Sequence, residues 1–222
     1  MNNSVTNTAR LLGAGLRALL VLTLVTGVIY PLVVTGIAQG LFPGRANGSE
    51  IKADGKVVGS SLIGQAYNLP LKKGQETPEP ALKWFQGRPQ NGLGHNSVNT
   101  QYKLIVSGAT NLAADSKDLV QQVKDAKAAV IKDNSVPGHA VKPSDVPADA
   151  VTSSGSGLDP NISPAYADLQ VHRVAERNNL PPAQVRKLVD EHTDGRTLGF
   201  IGEPRVNVLE LNIALKDLAA TK

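Results

Sequence analysis

The chain contains no cysteine, which removes disulfide scaffolds, thiol catalysis, Cys-ligated zinc and Cys-bound iron–sulfur clusters from consideration. Aromatic residues make up only 4% of it, with one Trp and three Phe, too few for a platform that stacks single-stranded bases. The first 17 residues hold Arg10 and Arg17 and no acid. Of the 23 Lys and Arg, all but those two lie beyond residue 40, where 21 face 19 Asp and Glu. That body is nearly neutral, its signs are interspersed, and no Lys/Arg block marks a nucleic-acid footprint.

Several chemical motifs are also missing. There is no GxxxxGK[ST] phosphate loop, no GxGxxG after a strand, no HExxH and no GxSxG nucleophile elbow. Gly155-Ser156-Gly157 precedes a helix but lacks the lysine of a phosphate loop, so it reads as a glycine-rich turn. His172 and Glu176 stand at i, i+4, a spacing open to a metal, yet a helix-surface hydrogen bond is the simpler reading. No metal ligand set and no resident cofactor is expected.

What is present begins with a long apolar run. Ala18 to Ala38 is 21 residues without a charge. As a helix it is about 31 Å long, against a hydrocarbon core of about 30 Å, so it can span a bilayer. Arg10 and Arg17 precede it, and the positive-inside rule assigns residues 1–17 to the cytoplasm, 18–38 to the membrane and 41–222 to the outside. A cleaved signal peptide is the alternative, with Gly36-Ile37-Ala38 as its cleavage site, but its apolar core is usually shorter. Gly36 with Gly40, and Thr23 with Gly27, have the spacing of small residues that let membrane helices approach closely. Pro31 breaks one backbone bond there.

The body divides by pattern. Residues 41–114 read as strands and turns: Val57-Val58, Leu62-Ile63, Leu82 to Phe85 and Tyr102 to Val106 are strand candidates, and Gln86 to Asn96 is a loop. Ser116 to Lys132 reads as a helix, with Leu119, Val123, Ala126 and Val130 on one stripe. Asn134 to Pro164 carries prolines at 137, 143, 147, 160 and 164 and no periodic apolar run, which makes it a linker or a functional loop. Ser163-Pro164 then reads as an N-cap and first helical residue, opening a helix to about Arg177 with Ala167, Val171, Val174 and Ala175 inward. A second follows Pro181-Pro182, with Val185, Leu188, Val189 and His192 on its stripe, and Gly195 ends it. Asn207 caps a last helix to about Ala219. The fold class is α+β: one N-terminal transmembrane helix, then an extracytoplasmic domain with a sheet-rich first half and a helical C-terminal half.

Asp194 to Asn207 is the densest unusual stretch. Glu203, Arg205 and Asn207 flank Pro204 and present a polar site, or else Asn207 caps the helix while Glu203 and Arg205 hold the loop.

SSLIGQ (60–65), FQGRP (85–89), SGLDPNISP (156–164), QVHRVAERN (170–178) and TDGRTLGFIGEPRVNVLELNIAL (193–215), behind a single anchor, together resemble the C subunit of Kdp-type potassium-transporting ATPases. The resemblance runs in order along almost the whole chain. Gln90 stands where the family usually has Ser, and SGATNLAAD (107–115) departs from its SGxSNLGP. The resemblance implies a bacterial inner-membrane complex for high-affinity potassium uptake. Its channel-like A subunit binds and conducts K+, its P-type B subunit hydrolyses ATP with Mg, and a small F subunit accompanies them. The C subunit is implied to be non-catalytic, to support assembly and to raise the ATP affinity of the B subunit as a catalytic chaperone. Consistently, no DKTG phosphorylation motif and no TVGYG-like filter occurs. A body outside the cell reaches cytoplasmic nucleotide only through allostery. Docking or coupling is expected at Asp159, Gln170, Arg173, Arg196, Glu203, Arg205 and Asn207, each with an alternative as a turn or cap residue. Membrane-helix packing is expected at Thr23, Gly27, Gly36 and Gly40. A signal-anchored extracytoplasmic hydrolase is the competing class.

Overall fold

The computed structural model describes residues 3–75, 77–95 and 105–221 and separates into two units, residues 1–50 and 51–222. In the first unit, helix α1 (Asn3–Leu24), a π-helical turn (Val25–Ile29) and α2 (Tyr30–Leu41) run on as one long helix, followed by the short α3 (Pro43–Ala46). Its Leu, Ile and Val side chains are exposed all round, the pattern of a helix whose solvent is lipid. Among the described residues it is the one helix long and apolar enough to cross a membrane. The π turn has a local cause. Pro31 has no N–H and its ring collides with the carbonyl one turn back, so the preceding turn widens and the Tyr30 N–H reaches to the Val25 carbonyl. Thr26 Oγ1 adds a back-bond to the Leu22 carbonyl at 2.7 Å.

The second unit is α+β. Strands β1 (Glu50–Ala53) and β2 (Lys56–Ser60) form one two-stranded ladder, β3 (Gly94–His95) and β4 (Ile105–Val106) another. Helix α4 (Lys117–Asn134) follows, then β5 (Asn161–Ile162), α5 (Pro164–Arg177), α6 (Pro182–Glu191), β6 (Thr193–Asp194), β7 (Arg205–Asn207) and α7 (Val208–Ala220). The last three strands make an antiparallel sheet in the order β5-β7-β6. Helix α5 packs on β7, α4 and α6, and Val171, Val174, Val185, Val189, Val206, Leu211 and Leu215 fill the core between them.

Both expected caps form. Ser163 Oγ accepts from the Tyr166 N–H at 3.1 Å, and Asn207 Oδ1 accepts from the N–H groups of Leu209 and Glu210 at 3.1 and 3.3 Å. Asn207 Nδ2 also donates to the Ser61 carbonyl at 2.9 Å. Asn207→Ala is expected to cost about 1–2 kcal/mol in denaturant titration. Asn207→Asp keeps the cap acceptor, and the part of the loss it retains measures the bond to Ser61.

Two expected strands differ from their expected form, Gly94-His95 at the end of the expected Gln86 to Asn96 loop forms β3, and Asn134 to Pro164 takes one of its two expected forms. Leu62-Ile63 lies in a turn, with the Ile63 N–H on the Ser60 carbonyl at 3.3 Å. Asn134 to Pro164 is built rather than a bare linker: two 3-10 turns, Pro143–Asp145 and Ala148–Ala150, lead to β5, and Val141, Ala150 and Ile162 reach the core. Of Tyr102 to Val106, residues 102–104 lie outside the described residues, and Ile105-Val106 forms β4.

Leu82 to Phe85 is the second such strand. It is a turn followed by irregular backbone, with no partner strand among the described residues. Its carbonyls are satisfied by side chains instead. Arg173 Nη1 donates to the carbonyls of Leu82 and Trp84, the latter at 2.9 Å, and Asn178 Nδ2 donates to that of Lys83 at 2.7 Å. Asn212 exchanges both bonds with Phe85, accepting from its N–H at 2.9 Å and donating to its carbonyl at 3.0 Å. Gln170 does the same for Gln86, at 2.7 and 3.1 Å. Carbonyls 82 to 86 are thus each met by an amide or guanidinium from α5, its C-terminus or α7. The accounting that buried backbone demands is met without a ladder.

Candidate functional site

Four of the sequence motifs meet at one place. The Gly64 N–H of SSLIGQ donates to the Leu158 carbonyl at 2.8 Å. A Cβ at Gly64 would lie 2.5 Å from the Asp159 carbonyl oxygen, so only glycine permits that approach. From FQGRP, Arg88 Nη1 meets Asp159 Oδ2 at 3.1 Å, and its other nitrogens donate to the carbonyls of Thr152 and Ser153, each at 3.3 Å. Asp159 Oδ1 accepts from the Asn161 N–H at 3.0 Å, which fixes the turn into β5. β5 pairs with β7, Asn161 opposite Asn207 and Ile162 opposite Val206, and so brings in the C-terminal motif.

The result is an open cleft of about 430 Å³ lined by Arg88, Asp149, Asp159, Asn161, Glu203 and Arg205 among others. Asp149 holds the start of α5, accepting from the Ser163 N–H at 2.7 Å and Oγ–H at 2.9 Å. Arg205 faces Asp194 across β7–β6 at 3.5 Å, and Arg196 pairs with Glu203 at 2.7 Å. Both pairs are exposed and contribute about 0–1 kcal/mol each, so their effect is on the surface they present. Among the named polar residues, Asp159, Glu203 and Arg205 line the cleft, Arg196 joins it through Glu203, and Asn207 sits behind it as cap and strand partner.

Gln170 and Arg173 lie elsewhere, inside the core, 0% and 1% exposed. Arg173 Nε donates to Asn134 Oδ1 at 2.8 Å, and Nη2 to Gln170 Oε1 at 2.6 Å. Burial pushes its pKa down to about 10, with the Asp133 charge opposing, so it stays protonated at neutral pH. Burial pushes Tyr166 up to about 12. Thr23 lies at the end of α1 just before the π turn and Gly27 within it, and Gly36 and Gly40 on α2 leave their surroundings open to 4 Å.

Arg88, Asp149, Asn134, Asn178 and Asn212 escaped the sequence reading. A signal existed for one of them. Asn212 stands four residues from the buried apolar Val208, so a polar side chain lies on an apolar stripe. Such a residue must find a buried partner. No signal linked Arg88 to Asp159 across 71 residues.

No group of three or more His, Asp or Glu suited to a metal occurs among the described residues. His172 instead stacks on His139, ring centroids 3.8 Å apart and planes 12° off parallel. Burial first, then the charges of His139 and Arg186, hold the His172 pKa below its ordinary value. The unfolded chain therefore takes up that proton first. This contribution to stability is whole above about pH 6.5 and is lost as pH falls through and below it. Melting temperatures between pH 7.5 and 5.5 are expected to fall less steeply in His172→Phe, which keeps a stacked ring without the titration.

The sequence model of the family described as KdpC, the K+-transporting ATPase c chain, matches residues 12–217. The potassium-transporting ATPase KdpC subunit of Streptomyces avermitilis is 83% identical over 221 residues, covering 100% of both chains. That of Streptomyces coelicolor is 78% identical, over 99% of this chain and 98% of its own. The Gemmatimonas aurantiaca protein of the same name is 46% identical, over 93% of this chain and 94% of its own.

Proposed function

The chain belongs to the KdpC family, the c chain of the K+-transporting ATPase, and from that premise we propose a non-catalytic accessory subunit of an ATP-driven potassium uptake pump. The observation that carries this is the unbroken family match from residue 12, in the long apolar helix, to residue 217, in the last helix of the body. Anchor and body are one functional piece. Residues 1–17 face the cytoplasm, 18–38 cross the bacterial inner membrane, and 41–222 lie outside, because Arg10 and Arg17 precede the span. Thr23, Gly27, Gly36 and Gly40 give partner helices close access to the anchor.

The partners are a channel-like A subunit, a P-type B subunit and a small F subunit; ATP, Mg and K+ are handled by them. The body braces the outward face of the complex through the cleft rim, at Asp159, Arg196, Glu203 and Arg205. Gln170, Arg173 and Asn207 couple indirectly, by holding the segments that carry that rim. Any gain in ATP binding or turnover on the cytoplasmic side is then a coupling free energy carried through membrane helices.

The test is a mild-detergent pull-down of the C-terminally tagged chain from potassium-starved membranes, with ATPase assayed with and without K+. Stoichiometric recovery of two larger subunits and K+-stimulated hydrolysis is expected. Recovery of the chain alone, or turnover by the chain itself, overturns the proposal. Protease should remove the body in right-side-out vesicles; protection there, with cleavage in inverted ones, overturns the orientation.

A further inference from the structure

Between β6 and β7 the chain turns through Gly195 to Pro204, and its apolar residues point away from the core. Leu198 is 79% exposed, Phe200 71% and Ile201 50%. Of the three phenylalanines, Phe85 is buried and Phe42 follows the anchor helix, while Phe200 stands in solvent on the body. Three large apolar side chains on one turn are the kind of surface that marks a binding site.

The turn is also rigid. Thr197 and Ile201 exchange backbone bonds at 2.9 Å in both directions, and the Gly199 N–H donates to the Arg196 carbonyl at 3.0 Å. Leu198 is held at φ 54°, a left-handed conformation unfavourable for a leucine, and Gly199 at 83° and Gly202 at 80° follow it. Strain of this kind, on an exposed leucine, serves nothing inside the fold. The base of the turn is clamped by Arg196–Glu203 at 2.7 Å and Arg205–Asp194 at 3.5 Å. A preorganised tip gives up little conformational entropy when it binds.

The charges decide between occupants. Asp194, Arg196, Glu203 and Arg205 cancel, each basic group is already paired with an acid, and residues 194–207 contain no Lys, Trp or Tyr. A bilayer-inserting loop relies on free basic groups for anionic headgroups and on Trp or Tyr for the interface. An uncharged, concave apolar pocket in a protein demands neither. We infer that Leu198, Phe200 and Ile201 form a preformed apolar plug that seats in such a pocket on a membrane-embedded partner subunit of the same complex. This rests on the accessory-subunit reading and names its contact. Phe200 is the central anchor, and the Arg196–Glu203 and Arg205–Asp194 pairs form the rim that keeps water out.

The test uses the full chain co-expressed with the other subunits. Phe200→Ser is expected to lower the partner subunits retained through a detergent wash by about 10-fold or more. The melting temperature of the purified chain should not move, because the side chain is exposed. A photo-cross-linking phenylalanine analogue at position 200 should give an adduct with one partner subunit. If the unmodified chain recovers its partners while Phe200→Ser recovers them equally and position 200 yields no protein adduct, the plug is wrong and the accessory reading stands. An adduct with lipid alone assigns the tip to the membrane and also overturns it. If the unmodified chain recovers no partner, both fall together.

Discussion

Arg173→Met should destabilise the full-length chain by about 3–5 kcal/mol, the range expected when one member of a buried charged network is removed. The loss exceeds that of an ordinary hydrogen bond because one guanidinium serves four acceptors: the Leu82 and Trp84 carbonyls, Asn134 Oδ1 and Gln170 Oε1. Methionine fills the space and leaves the Leu82 carbonyl and Asn134 Oδ1 without a donor, about 1–3 kcal/mol each before relaxation, while the Trp84 carbonyl and Gln170 Oε1 keep only their bonds from Gln86. Lysine does not rescue the site, since one ammonium cannot span the planar fork. With total stabilities of roughly 5–15 kcal/mol for native domains, the variant approaches the folding threshold. Emission from Trp84, the single tryptophan, reports the transition, and it sits on the segment that Arg173 holds. A loss below about 1 kcal/mol would mean that water or a side-chain shift replaces the guanidinium at little cost.

Phe85→Ala should cost a similar amount, about 3–5 kcal/mol, through lost transfer energy and the cavity left behind. Phe85 is wholly buried, and both of its backbone polar groups are held by Asn212. The two substitutions act on one stretch of chain, so the double variant should lose less than the sum. A functional consequence follows from connectivity. Gln86 is pinned by Gln170, and Arg88 two residues later clamps Asp159. Loosening residues 82–86 therefore frees Arg88 from the cleft, and recovery of partner subunits should fall with stability in both variants. Unchanged recovery from a destabilised chain would separate the cleft from assembly.

These expectations rest on parts of the molecule that differ in how visible they are from sequence. The anchor is a one-dimensional property: 21 uncharged residues are long enough to span wherever they occur. Helices α4 to α7 and the caps Ser163 and Asn207 were equally plain, because helical periodicity and capping bonds join residues within about four positions. Even the π turn has its cause in Pro31.

Leu82 to Phe85 was another matter. Its apolar composition favours a strand, but a strand needs a partner, and here the partners are side chains 89 to 127 residues away. The same holds for Gln170 and Arg173, which read as docking or coupling residues and instead lie buried where α4, α7 and the 82–86 segment close over them. It holds for Arg88 with Asp159, and for the exposed tip at Phe200, whose outward direction depends on β6 and β7 being paired beneath it. Local sequence determined the anchor, the helices and their ends, since those bonds close within a turn. Which polar groups were buried, and which apolar ones were left outside, was decided only by the tertiary structure, because those bonds and contacts close across the whole fold.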